Sequence, residues 1–263
     1  MKKKPESKQR KSTSLQMKYG DIFLLGEHLL IYGSATDEEL IRKVLKGRKI
    51  SATICDPPYG VNYVASKENF QTLAKRKHIV GDEITSDSEY IEFSKKWLSP
   101  ITSFLSKYNS VYIFNSDKMI FALRTAMLEL GFKFSQLLIW VKDRAVIGRL
   151  DYLPQHELIA YGWYGRHHFR KSKSKSVLVF PKPNRSKLHP TMKPVGLLRH
   201  IILNSTKINE TVYDPFAGSG STLVACEHVK RKAIVIELDK EYCSTIIKRW
   251  EILSGNKAEK YEK

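Results

Sequence analysis

The chain is poor in cysteine and lacks long apolar runs, and both absences narrow the classes of protein it can belong to. Its 263 residues include three widely separated cysteines and no Cys-x-x-Cys pair, which argues against a disulfide framework and against a zinc site. Cys55 and Cys226 lie in apolar stretches and are predicted to be core residues. No apolar run reaches the roughly 18–20 residues of a membrane span, and the lysine-rich N-terminus lacks the apolar centre of a signal peptide. We therefore expect a cytoplasmic protein without a membrane segment.

Acidic residues are also scarce relative to basic ones. The sequence contains 45 Lys and Arg against 27 Asp and Glu, which gives a formal net charge of +18. An excess of this size favours a polyanionic partner, most simply nucleic acid, over a role in solubility alone. Hydrophobic residues make up 42% of the chain, enough for a sizeable core. Residues 1–17 are predicted to form a basic disordered tail, and residues 18–263 one folded domain.

Apolar segments of strand length alternate with helical periodicity along the folded part. Strands are predicted at Ser51–Cys55, 110–114, 134–142, 157–161, Thr211–Asp214 and 233–237, after a hairpin at 22–32. Helices are predicted from Thr36 or Asp37, and at 90–105, 118–130, 191–205, 221–228 and 241–253, whereas 62–87 is predicted to be a mobile loop. This alternation indicates a three-layer α/β fold with a mostly parallel sheet.

One glycine-rich turn, Asp214-Pro-Phe-Ala-Gly-Ser-Gly220, lies between a predicted strand and helix. Gly218 and Gly220 supply permissive backbone, and Ser221 and Thr222 are predicted to cap the helix, whose N-terminus favours a carboxylate. Glu237 ends the next strand about 20 residues later, where an acid that binds ribose is expected. The order favours an adenosyl or nucleotide cofactor over a purely structural turn, and the absence of a following Gly-Lys-Ser/Thr argues against a phosphate loop.

A second turn, Asp56-Pro57-Pro58-Tyr59, directly follows a predicted buried strand. Ligands bind at the carboxyl ends of strands in open α/β sheets. The Asp56 carboxylate and the Pro57 carbonyl can accept both hydrogens of an amino group, and the Tyr59 ring can stack on a flat base. A tight Pro-Pro turn without function is the alternative, and the neighbouring cofactor turn makes it the weaker one.

A segment with basic residues and no acidic ones runs from Trp163 to Lys193. We predict that its part at about 163–188 is an insertion that faces nucleic acid rather than a solvated loop. Its candidate DNA-binding residues are Arg166, Arg170, Lys171, Lys173, Lys175, Arg185 and Lys187. Arg166 and Arg185 are the candidates for reading base edges.

The two turns together resemble the motifs of the amino-directed DNA methyltransferases. Asp56-Pro-Pro-Tyr59 is similar to the catalytic motif, Asp214 to Thr222 to the S-adenosylmethionine motif, and His189-Pro-Thr-Met-Lys-Pro194 to the segment that precedes the cofactor strand. The catalytic turn comes first, a circularly permuted order that is typical of the beta class. Trp140-Val-Lys142 and His156-Glu157 also resemble family segments.

The resemblance implies a Rossmann-like seven-stranded sheet with one reversed strand and a set of cofactor-binding residues. Many relatives carry Gly-Asp where this chain has Gly33-Ser34, so Ser34 or Asp37 is expected near the cofactor adenine. Phe216 is expected to pack against the cofactor, Asp214 and Ser221 or Thr222 to serve its methionine part, and Glu237 to hold its ribose. The full set comprises Asp214, Phe216, Gly218, Gly220, Ser221, Thr222, Glu237, Ser34 and Lys193.

The implied activity is methyl transfer from S-adenosyl-L-methionine to N6 of a flipped adenine in double-stranded DNA, without a metal. N4-cytosine methylation is the first alternative, although those relatives usually carry Ser in place of Asp56. Glutamine or RNA methylation and an inactive DNA-binding module are weaker alternatives. A homodimer and a cognate restriction endonuclease are implied as partners.

Overall fold

The computed structural model describes residues 17–59, 86–145, 151–170, 174–182 and 192–261. Residues 1–16 of the predicted tail and nearly all of the predicted 62–87 loop lie outside these ranges, whereas Met17, predicted to belong to the tail, is buried in the apolar core. The strands are β1 Ile22–Leu25, β2 His28–Tyr32, β3 Ile50–Cys55, β4 Leu105–Asn115, β5 Phe132–Val141, β6 His156–Tyr164, β7 Val177–Val179, β8 Thr211–Asp214, β9 Lys232–Glu237 and β10 Glu259–Lys260. The helices are α1 Glu38–Leu45, α2 Asp87–Leu98, α3 Ile120–Glu129, α4 Val195–Ser205, α5 Ser221–Val229 and α6 Lys240–Ser254, with a 3₁₀ helix at Ser99–Phe104.

All described strands join one sheet in the order β10-β1-β2-β9-β8-β3-β4-β6-β5-β7. Strands β2, β9, β8, β3 and β4 are mutually parallel, β6 runs antiparallel to β4, and β5 runs antiparallel to β6. These seven strands confirm the expected sheet with one reversed member. Three shorter strands extend it, with β1 and β10 at one edge and β7 at the other.

Helices cover both faces of the sheet, which confirms the three-layer architecture. One buried apolar cluster joins the sheet to α4, α5 and α6, and a second joins it to α1, α2 and α3. Consecutive residues of β3 illustrate the division, because Ile54 packs in the first cluster and Cys55 in the second. All six residues of β3 are buried, including the polar Ser51 and Thr53, as expected of a strand covered on both faces. Cys55 and Cys226 are free and buried, as predicted.

Several element bounds differ from the prediction for local reasons. The predicted 90–105 helix ends at Leu98, the 3₁₀ helix that follows carries Pro100 in its first turn, and Leu105 already belongs to β4. Helix α4 begins at Val195 with Pro194 as its N-cap, because a residue before proline disfavours helical backbone. The proposed insertion starts inside β6 and contains β7, so part of it belongs to the sheet. In the described part of the chain, no helix combines the length and apolarity that crossing a bilayer requires.

Candidate active site

Parallel register brings the two predicted turns to one edge of the sheet. Strands β3 and β8 are direct neighbours, with Thr53 opposite Tyr213, so Asp56 and Asp214 leave the sheet side by side. Strand β9 pairs with β8 and ends at Glu237 on the same edge. Residues that are remote in sequence therefore form one site at the carboxyl ends of the strands, where ligands bind in open α/β sheets.

One oxygen of the Asp56 carboxylate has a hydrogen-bond partner and the other has none among the described residues. Its Oδ2 atom accepts a hydrogen bond from Lys193 Nζ at 2.5 Å, whereas its Oδ1 atom is buried and has no partner among the described residues. Burial raises the pKa of Asp56, and the Lys193 ammonium opposes that rise. A buried acceptor without a partner is costly, so Oδ1 is an atom prepared for a donor supplied by a ligand.

Lys193 is grouped with the cofactor residues by the family resemblance, and the structure shows its contacts with other protein groups. Its ammonium lies between Asp56 and Glu157, with 3.0 Å to Glu157 Oε2, and it is 5.0 Å from the centre of the Phe114 ring. Lys193 therefore contacts the amine-binding turn. These partner carboxylates lie on other segments, which only the fold brings together.

Two glycines shape the cofactor turn as predicted. Gly218 and Gly220 have φ angles of 53° and 81°, a region that residues with a Cβ rarely adopt. The turn is tied to Glu237, whose Oε2 accepts from Gly218 N at 2.7 Å and whose Oε1 accepts from Asp239 N at 2.8 Å. Burial raises the pKa of Glu237 to about 7.

The start of α5 corrects one prediction about capping. Gly220 is the N-cap, and neither Ser221 nor Thr222 caps the helix with its side chain. Thr222 instead bonds to the Asp214 side chain, which also accepts from Phe216 N at 3.0 Å; burial nevertheless raises the pKa of Asp214 to about 7. The Ser221 hydroxyl is buried without a partner among the described residues. This orphaned donor at a helix N-terminus suits the carboxylate of a methionine group.

The residues expected near the cofactor adenine lie just beyond β2. The Ser34 hydroxyl pairs with Thr36 Oγ1 at 2.8 Å. Asp37 is the N-cap of α1, as predicted, with Oδ1 accepting from Leu40 N and Oδ2 from the Tyr19 hydroxyl. Both Asp37 oxygens and the Ser34 hydroxyl, which also accepts from Thr36 N, therefore already have partners within the fold.

Aromatic rings line the same region. Phe216 is partly buried and packs edge-on against Trp97 of α2, with ring centres 5.3 Å apart, and it also contacts Phe93. Tyr59 is partly buried against the apolar cluster on that face. Burial and the nearby Asp56 carboxylate raise the pKa of Tyr59, so its ring is neutral and available for stacking.

The basic segment is only partly described. Arg166 and Lys175 are exposed, whereas Lys171, Lys173, Arg185 and Lys187 lie outside the described residues. Arg170 pairs with Glu210 at 3.6 Å, so an acid from another segment compensates a cation that the sequence pattern left unpaired.

Beside that segment lies a cavity of about 400 Å³ with aromatic and basic walls. Trp163 and His167 stack there with ring centres 4.1 Å apart, Tyr161 donates to or accepts from His167 Nε2, and Lys175 stands at the wall. Lys133 Nζ lies 5.0 Å from the Trp163 ring centre. Such a combination of cations and rings is typical of surfaces that hold nucleic acid.

Sequence reasoning gave no role to two charged residues that the structure places in the site. Glu157 on β6 lies between Lys193 and Lys142, which follows β5 directly. Both belong to segments that resemble the family, Trp140-Val-Lys142 and His156-Glu157, and this resemblance was the available signal. The pairing itself depends on contacts between distant segments.

Comparisons with known proteins agree with this geometry. A family profile described as DNA methylase matches residues 50–249. The type II methyltransferase M.HpaI of Haemophilus parainfluenzae is 27% identical over 230 residues, covering 76% of this chain and 68% of the relative. The crystal structure of the M1.HpyAVI–SAM complex has a TM-score of 0.63 and 27% identity, with 84% of this chain and 98% of that chain covered. The cytosine-N4-specific PvuII DNA methyltransferase has a TM-score of 0.63 at 16% identity, over 87% of this chain and 93% of that one, and shows the fold alone.

The chain therefore belongs to the N6/N4 DNA methylase family. It is a DNA methyltransferase, and its cofactor is S-adenosyl-L-methionine.

Proposed function

We propose that the protein methylates N6 of adenine in double-stranded DNA. The observation that carries this proposal is the unpartnered, buried Oδ1 of Asp56 at the end of β3. Pro57 follows Asp56 in the chain, and its carbonyl would be the second acceptor for the two hydrogens of one exocyclic amino group. The aspartate in the first position of the turn favours adenine, since cytosine-directed relatives usually carry serine there.

The residues present fit S-adenosyl-L-methionine at the neighbouring turn. Ser221 and the start of α5 would hold its carboxylate, Glu237 its ribose hydroxyls, and Ser34 the adenine end. When bound, this cofactor supplies an electrophilic methyl group on a sulfonium.

The protein's contribution to the reaction is positioning and electrostatics. Asp56 and the Pro57 carbonyl draw the amino hydrogens toward themselves, which turns the nitrogen lone pair away from the turn and toward the methyl donor. Tyr59 stacks on the ring and fixes its plane. The base must leave the duplex to reach this recessed edge, so we infer that the target adenine is flipped.

We also propose that the basic segment at 163–188 holds the DNA. The described part supports this with exposed Arg166 and Lys175 beside the stacked Trp163 and His167. Phosphate contacts fix the register of the protein on DNA, and side chains that reach base edges select the sequence. The homodimer and the cognate restriction endonuclease stay predictions, which sedimentation and co-purification with the neighbouring gene product would test.

Methylation of DNA with a radiolabelled methyl donor, followed by nucleoside analysis, tests the proposal. We expect N6-methyladenine from the parent protein. Asp56→Ala should abolish transfer while cofactor affinity, measured by calorimetry, stays nearly unchanged, because Asp56 belongs to the amine site. Glu259→Gln, a carboxylate change on the edge strand β10, is the matched control and should retain full activity.

Three other results of this experiment would change the proposal. Label in N4-methylcytosine would keep the mechanism and overturn the assignment of the base. Cofactor binding without any methylated nucleoside would indicate an inactive DNA-binding module. Near-normal turnover by Asp56→Ala would show that the amine binds elsewhere.

A further inference from the structure

Four charged side chains from four separate segments form an unbroken chain at the catalytic edge. Asp56 follows β3, Lys193 precedes α4, Glu157 is the second residue of β6, and Lys142 follows β5. The links are 2.5 Å from Asp56 Oδ2 to Lys193 Nζ, 3.0 Å from Lys193 Nζ to Glu157 Oε2, and 2.9 Å from Glu157 Oε1 to Lys142 Nζ. Negative and positive groups alternate, and the formal charges cancel.

Each charge in this chain is removed from solvent and fixed in place. The side chains of Lys142 and Lys193 are 5% and 8% exposed, and those of Asp56 and Glu157 are 21% and 22% exposed. Each lysine also lies over an aromatic face, Lys193 over Phe114 and Lys142 over Trp140. These contacts restrict the ammonium groups to one position.

The backbone at the far end of the chain is fixed as well. Lys142 N donates to Gln155 O at 2.8 Å, and Gln155 Nε2 donates back to Lys142 O at 3.1 Å. The β5–β6 register then sets Trp140 opposite Glu157. Lys142 and Glu157 are therefore held in place by regular sheet structure, and ion pairs connect them to Asp56.

Stability gives no sufficient reason for such a chain. Buried ion pairs are often replaceable by apolar residues without loss of stability, because desolvation offsets their attraction. The network instead leaves a specific result at its open end: Oδ2 of Asp56 is occupied, and Oδ1 is left for a donor. In metal sites, groups that hydrogen-bond to a ligating carboxylate fix its orientation in the same way.

We propose that Glu157, anchored by Lys142, is a positioning residue that holds Lys193 against Asp56 and so presents Oδ1 to the substrate amino group. This inference rests on the proposed function of Asp56 as acceptor for that amino group. Neither Glu157 nor Lys142 touches the substrate in this arrangement. Their role is to set the orientation and the charge state of Asp56.

The proposal predicts the direction in which removing each neighbouring charge shifts the pKa of Asp56. Lys193 lowers the pKa of Asp56, whereas Glu157 raises it. Methyl transfer needs the acceptor form of Asp56, so activity falls as the pH drops through that pKa. Lys193→Met should therefore move the acid limb of the pH–rate profile to higher pH, and Glu157→Gln should move it to lower pH. The other titratable groups near Asp56 are Lys142, Tyr59 and Tyr90, Cys55 and Asp214.

The experiment uses the full chain and three variants, Lys193→Met, Glu157→Gln and the charge-neutral double variant Lys142→Met with Glu157→Gln. Single-turnover methylation should fall roughly 10–100-fold in Glu157→Gln, the range typical of lost second-layer contacts, while cofactor affinity stays within about twofold. The double variant should shift the acid limb in the same direction as Glu157→Gln but by less, because it leaves no unpaired buried cation. It keeps the test valid if Glu157→Gln folds poorly.

A matched control is available at the opposite edge of the sheet. Glu227 accepts from His28 and from Trp250, both at 2.8 Å, and is also a partly buried carboxylate held by side chains of other segments. Glu227→Gln should lower stability without moving the acid limb. A merely structural role for Glu157 predicts the same behaviour as this control.

A second measurement does not depend on catalysis. The titration of Asp56 can be followed by NMR of ¹³C-carboxyl-labelled aspartate, assigned with Asp56→Asn. Opposite shifts in Lys193→Met and Glu157→Gln would support the proposal, and an unchanged titration and rate in Glu157→Gln would overturn it. If the parent protein transfers no methyl group to DNA, the proposed function fails, while the NMR titration still decides whether Glu157 and Lys193 control Asp56.

Discussion

Replacing Gly220 with alanine should destabilise the protein by about 2–5 kcal/mol, because two separate costs meet at this residue. The first is backbone strain, since Gly220 has a φ of 81° and a left-handed residue with a Cβ costs roughly 1–2 kcal/mol. The second is steric. A Cβ added there would lie 2.9 Å from Ile246 Cγ1 and 3.1 Å from its Cγ2, and overpacking of this kind costs about 1–3 kcal/mol.

Ile246 cannot easily yield to the added methyl group. It is 1% exposed on α6 and packs in the apolar cluster beneath α4 and α5. The strain is therefore expected to fall on the turn itself, which carries the backbone N–H of Gly218 to Glu237. Cofactor affinity should drop together with stability.

Gly255 provides a control that separates the two costs. It ends α6 with a φ of 74°, and no heavy atom lies within 4 Å of a Cβ built on it. Gly255→Ala should lose only the strain cost of roughly 1–2 kcal/mol and keep its cofactor affinity. Urea denaturation measures both variants, with calorimetry for the cofactor. Equal losses in the two variants would refute the steric argument, and unchanged cofactor affinity in Gly220→Ala would place the cofactor away from this turn.

Two further predictions concern charge. Burial raises the pKa of Glu237 from 4.5 to about 7, so the folded protein binds this proton more tightly than the unfolded chain and loses stability as the pH rises from 4.5 through 7. The free energy of unfolding of Glu237→Gln, relative to that of the parent, should therefore be higher at pH 8 than at pH 4, by at most about 3 kcal/mol in urea denaturation. If this difference between variant and parent does not change with pH, the burial argument is wrong. Changing Arg166 and Lys175 together to alanine should reduce the logarithmic salt slope of DNA binding by about 1.8 if both contact phosphates. The same change at the exposed Lys43 and Lys248 should leave it unaltered, and equal slopes in all three proteins would place the DNA on another face.

The arrangement of the sheet could be predicted because its signals are local. The short strand β3, the glycines before α5 and the acid at the end of β9 each lie within a few residues of the turn that they define. The seven-stranded sheet with one reversed strand was implied by the family resemblance. The short edge strands β7 and β10 were missed, since two or three residues carry too little pattern to distinguish a strand from a loop.

Side-chain partners between segments could not be predicted in this way. Arg170 seemed unpaired because its own segment has no acid, yet Glu210 reaches it from the turn before β8. Lys193 was assigned to the cofactor from its place in a motif, and its partners Asp56 and Glu157 come from β3 and β6. A periodicity or a motif reports which face a residue shares with its neighbours, but an ion pair depends on how separate strands are brought into register.

The charges at the catalytic edge differ in sign from the chain as a whole. The protein has a formal net charge of +18, but Asp214 and Glu237 are carboxylates at the cofactor turn that form no ion pair with any described residue. The pKa of each is about 7, so a cationic ligand nearby would favour their ionised forms. The sulfonium and ammonium groups of S-adenosyl-L-methionine have this charge, whereas a DNA phosphate would be repelled. We expect the basic surface residues to attract the DNA backbone, and the acidic groups of this edge to favour the cationic groups of the cofactor.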